Sequence, residues 1–244
     1  MTAMSTSAIA RTRHSAGSMS RTATIATVSA AVLLAASVPL QLMASSRRWT
    51  QCPRFVGDEN DTSMCGLLED HLFDYQNPSA PWTVIDGAAQ LFGAGLMLVA
   101  VAVLVATLGV ARPRGPLLWA SAAVTAAAFA FGGVHALASG QLGSPSALTG
   151  WTAHVAVLGQ VAWVAWWATT YVRAPLLALA LLPTGLFTAG GGVVVYAMAP
   201  LFVGYSSYDT TPWSESIPAY GTGLSALALL VTLVLRRRST TERE

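Results

Sequence analysis

Five long stretches without Asp, Glu, Lys or Arg divide the chain, at 22–46, 87–111, 115–172, 174–208 and 216–235. A helix needs about 20 mostly apolar residues to cross about 30 Å of hydrocarbon, so four of these stretches have room for one span each. The interval 115–172 is long enough that it must hold two. Its break falls in the cluster Ser139-Gly140-Gln141-Leu142-Gly143-Ser144-Pro145, which continues to Gly150; such Gly/Ser/Pro runs between apolar segments mark turns. The pattern predicts an all-α integral membrane protein with six transmembrane helices in one bundle, over 22–44, 87–110, 116–138, 151–171, 175–199 and 218–235. Residues 1–21 then form a disordered tail, 45–86 a long loop and 236–244 a basic tail.

Composition supports this class: 54% of residues are hydrophobic and 10% are charged, against about 25% charged in soluble domains. All 13 basic residues are Arg. The net charge is only +2, which argues against a nucleic-acid surface. The use of Arg with no Lys suggests a high-GC bacterial genome, and hence a bacterial plasma membrane.

Arginine placement sets the expected orientation. With the N-terminus inside, Arg11, Arg13, Arg21, Arg112, Arg114, Arg173, Arg236, Arg237, Arg238 and Arg243 are all cytoplasmic, and only Arg47, Arg48 and Arg54 are outside. Both termini are therefore expected in the cytoplasm, with 45–86 and a second loop near 200–217 facing out. The first apolar run is too long for the 7–15-residue core of a cleaved signal and reads as a retained span.

On the outer, oxidising side, Cys52 and Cys65 are expected to form a structural disulfide. Their spacing is not that of a Cys-x-x-Cys redox motif. Asp58, Asn60, Thr62 and Glu69 echo the ligand spacing of a calcium loop, but Ser63 stands where that loop needs glycine. Leu67, Leu68, Leu72 and Tyr75 follow helical spacing and predict a short amphipathic helix lying over the membrane or the bundle mouth. Trp119, Trp166, Trp167 and Tyr171 are expected in an interfacial belt, with Trp163 packed deeper. Pro183, Gly185 and Gly190 to Gly192 read as close packing in the fifth span, with a broken helix as the alternative.

The two histidines inside predicted spans carry the most chemical information. His135 lies three residues before the outer end of its span, and His154 three residues after the start of the next. At about 1.5 Å per residue both are about 5 Å below the surface. Gln41, Gln90, Tyr196 and Tyr220 fall near the same level, so each helix offers one polar group to an outer layer. Such groups either tie helices together or line a functional site. Metal ligation would need a third group from the loop, and no ligand spacing supports it.

No nucleotide-binding loop or nucleophile elbow is present, and no cofactor is expected. The leading expectation is a non-enzymatic binding or assembly module working through its outer loops, with Glu69, Asp70, His71, Asp74 and Asp86 as contact residues. Its expected partners are the lipid bilayer and a membrane or extracytoplasmic protein. The alternative is a membrane-embedded enzyme or small-molecule carrier using the layer around His135 and His154.

Overall fold

The structure is a computed structural model that describes residues 20–52, 63–69, 71–110, 115–186 and 212–241. The tail 1–19, the calcium-like positions 58–62, Asp70, Tyr196 and the glycine cluster 190–192 lie outside the described residues. All regular structure among the described residues is helical. The helices are α1 (Arg21–Trp49), α2 (Met64–Leu68), α3 (Ala88–Leu108), α4 (Pro116–Leu142), α5 (Thr152–Arg173), α6 (Pro175–Thr184) and α7 (Ile217–Thr241).

Local chemistry sets several of the boundaries. The Ser20 hydroxyl accepts from the Ala23 amide at 3.2 Å and opens α1. Pro116 and Pro175 sit in the first turns of α4 and α6, where a missing amide proton costs nothing. Gly143 ends α4 at φ 68°, a left-handed conformation that glycine adopts without strain. Five helices are long and apolar enough to cross a membrane: α1, α3, α4, α5 with its leading turn, and α7 with its leading turn. The apolar α6 is described for ten residues.

Each of these helices packs on the next in the chain, α1 on α3, then α4, α5, α6 and α7, and α7 closes back on α1. The described helices therefore form an up-and-down ring. The α3–α4 seam is close: a Cβ on Gly93 would lie 2.5 Å from the Gly133 carbonyl oxygen. At Gly185 a Cβ would overlap the Trp163 ring, which favours close packing for this part of the fifth predicted span.

One end of the ring carries the disulfide. There α1, α4 and the 149–151 turn meet the loop between Cys52 and Gly87, and α7 begins beside Arg48. The opposite end holds the start of α4 and the α5–α6 connection, with Arg173 against Gly115.

Three expectations change. The first helix runs to Trp49 rather than stopping near 44, because Arg48 and Trp49 are buried and bonded instead of lying in a solvated loop. The amphipathic stretch is not one helix: α2 ends at Leu68, a separate 3-10 turn covers His71–Phe73, and Tyr75 inserts edge-on against Phe92 with ring centroids 5.8 Å apart. Trp166 is not an interfacial anchor. Its indole is buried and donates to Thr107 Oγ1 at 3.0 Å, tying α5 to α3.

Candidate functional site at the disulfide end

Arg48 closes the last turn of α1 and is almost completely buried. Its Nε and Nη2 donate to the Leu68 carbonyl at 2.9 and 2.7 Å, and Nη1 meets Glu215 Oε1 at 2.7 Å. The second Glu215 oxygen accepts from the Trp49 indole at 2.7 Å, and the Arg48 guanidinium lies 4.5 Å from the centre of that ring. Gln76 donates to the Glu215 backbone carbonyl at 3.1 Å, and Ser216 to Ser45 at 2.8 Å. One buried ion pair therefore joins α1, α2, the 71–87 strap and the turn that opens α7. The Cys52–Cys65 disulfide packs beside it with Trp49 and Leu68.

The strap is itself held over the bundle. Asp74 Oδ1 accepts from the Gln76 and Asn77 amides at 2.8 and 3.2 Å, turning the chain so that Pro78 reaches α4. His135 Nε2 lies 3.0 Å from the Pro78 carbonyl, and Nδ1 lies 2.8 Å from Ser146 Oγ. A carbonyl only accepts, so the imidazole with its proton on Nε2 donates to Pro78 and leaves Nδ1 to accept from Ser146. His135 thus joins α4, the strap and the turn before α5.

Beneath this lid is a cavity of about 380 Å³. Phe92 and Leu96 of α3, Phe129 and Gly132 of α4, and Ala156 and Gln160 of α5 define its walls; Gln76 and Asn77 close it from the strap. Its origin lies in the path of α5. A Cβ on Gly159 would come within 2.5 Å of the Ala128 side chain, so α4 and α5 touch there. All the buried residues of α5 lie from Gly159 onward, whereas Ala153 and Ala156, nearer the disulfide end, are exposed. The helices are pinned at Gly159 and leave space above it.

No family model, curated protein or solved structure matches the chain.

The site therefore rests on its own geometry. The expected polar layer is dispersed: no hydrogen bond joins any two of Gln41, Gln90, His135, His154 and Tyr220. Gln41 donates to Ser37, which in turn donates to the Gly95 carbonyl, both at 2.8 Å. Gln90 lies against Gly140, and the side-chain oxygens of Gln41 and Gln90 are buried without a partner. His154 is exposed, 6.1 Å from the Trp151 ring, and Tyr220 is also exposed. Only His135 lines the cavity.

Of the loop residues, Asp74 shapes the strap, while Asp86 makes a long, exposed pair with Arg47 at 3.8 Å, a contact of little energetic weight. Glu69 caps α2, and His71 opens the 3-10 turn. Among the described residues, no three His, Cys, Asp or Glu side chains converge as a metal site would require. Sequence reasoning missed Arg48 and Glu215, which lie 167 positions apart, and Gln160, which was one polar residue in an apolar run.

Proposed function

We propose that this chain is a non-enzymatic binding module of a bacterial plasma membrane that holds a small apolar molecule in the cavity under its disulfide-stapled lid. The carrying observation is the cavity itself. Its volume of about 380 Å³ falls in the roughly 300–1,000 Å³ range of small-molecule sites, and its apolar walls with a few polar groups match their usual character. Binding is favoured over catalysis because the one imidazole in the lining has both nitrogens engaged and no carboxylate lines the walls. The strap 71–87 would then act as the lid, with α2 and the turn Ser214–Ser216 as its frame.

We read the bundle as six spans with both termini cytoplasmic. The sixth crossing is supported by connectivity: α6 starts at the end opposite the disulfide, whereas Glu215 pairs with Arg48 at the disulfide end. Ten helical residues advance only about 15 Å, about half of the roughly 30 Å of hydrocarbon that lies between those two ends. The arginine distribution supports the cytoplasmic termini.

Native mass spectrometry of protein released gently from membranes tests the binding reading. A stoichiometric small molecule is expected on the wild type and absent from Ala156→Trp and Gly132→Leu, which fill the cavity from α5 and from α4. A wild type without bound mass, or variants carrying the same mass, would overturn it.

A further inference from the structure

Gln160 sits eight residues into α5, about 12 Å along the helix axis from its start. It lines the cavity, and its amide makes no hydrogen bond with any described residue. A primary amide deep in an apolar helix is costly unless it meets a partner. Water or a ligand in the cavity is the available partner, because Ala156, one turn before it on α5, and the wall residues Phe92, Leu96 and Phe129 carry no polar side-chain atom. The lining contains no Arg, Lys, Asp or Glu, so nothing in it would compensate a charged headgroup. Of the charged side chains at this end, Arg48 pairs with Glu215, Arg47 pairs with Asp86 and Asp74 accepts from the Gln76 and Asn77 amides, and none of them lines the cavity.

From these observations we infer that the cavity selects an uncharged, lipid-like molecule carrying a hydroxyl or carbonyl, and that Gln160 is the specificity-determining residue that hydrogen-bonds this group. The inference rests on the cavity being a binding site and adds the ligand's class and polarity. The apolar body of the ligand lies along Phe92, Leu96 and Phe129, and its polar group meets the amide of Gln160 within the membrane. Since Ala153 and Ala156 are at once exposed and part of the wall, such a molecule enters from the bilayer between α4 and α5, above the Gly159–Ala128 contact.

The test uses the full chain in liposomes with four photoreactive probes on the same alkyl chain: a primary alcohol, a fatty acid, a trimethylammonium and a headless hydrocarbon. Peptide mapping is expected to find the alcohol cross-linked within 128–135 and 152–160, with both charged probes excluded. The alcohol should exceed the headless probe by roughly threefold to tenfold, as one net hydrogen bond implies. In Gln160→Leu that preference should disappear while hydrocarbon labelling persists, which also reports that the variant is folded. Charged probes labelling as well as the alcohol would overturn the ligand class while leaving the site intact. An unchanged alcohol preference in Gln160→Leu would overturn the role of Gln160. Absence of every probe from both segments would overturn the binding site itself.

Discussion

Glu215→Ala removes the carboxylate paired with the buried Arg48 guanidinium, along with the acceptor of the Trp49 indole. Arg48 keeps its two bonds to the Leu68 carbonyl, but a carbonyl dipole does not neutralise a full charge at a buried site. Breaking a buried pair from one side typically costs about 3–5 kcal/mol, because the remaining charge is stranded. For a chain of this size, with about 2–4 °C per kcal/mol, the apparent Tm should fall by about 6–20 °C. Replacing both partners with apolar residues removes the stranded charge, so Arg48→Met with Glu215→Leu should be clearly more stable than the sum of the two single changes predicts. Tryptophan-fluorescence melting of the four proteins in the same detergent measures the cycle. A single-variant loss below about 1 kcal/mol, the range of an exposed pair, or strict additivity in the cycle would refute the reading of Arg48–Glu215 as the clamp of this end.

Breaking the disulfide with Cys52→Ser should lower stability by about 3 kcal/mol, the chain-entropy value for a loop of this length, and a melting point indifferent to reductant would count against it. His135→Ala leaves the Pro78 carbonyl and the Ser146 hydroxyl without their shared partner; a loss of about 1–3 kcal/mol is expected, with His135→Gln recovering part of it, and equal stability of the alanine variant would contradict the tie. In a background lacking Cys52 and Cys65, Ser144→Cys should react with an impermeant thiol reagent on intact cells while Thr2→Cys and Thr240→Cys react only after permeabilisation; the reverse pattern would invert the topology.

Spans were legible in the sequence because the cost of burying charge in hydrocarbon is large and acts on every helix, so charge-free length located α1, α3 and α7 to within a few residues, and the Gly/Ser/Pro cluster at 139–150 separated α4 from α5. The disulfide was legible because only two cysteines exist. Rotation of each helix about its axis was not. Lipid tails are as apolar as the bundle interior, so no in-versus-out contrast is written into an Ala/Leu/Val helix. Depth arithmetic therefore put His135, His154 and Tyr220 at one level, yet His135 faces inward and the other two are exposed. Trp166 was misassigned for the same reason, since a tryptophan near a helix end suits either a lipid interface or a bond to Thr107. Arg48 and Glu215 escaped because each looks like an ordinary loop charge until the ring closes α7 onto α1.

Ligand-dependent stability tests the central claim, that the lidded cavity is a small-molecule site, most directly. A ligand that binds only the folded state stabilises by RT ln(1 + [L]/Kd), about 2.7 kcal/mol at one hundred times Kd. The apparent Tm of the wild type should therefore climb with the concentration of an uncharged long-chain alcohol and keep climbing above Kd, while Ala156→Trp, its cavity filled, should not respond. A wild type that gains nothing, or a filled variant that gains as much, would contradict the account.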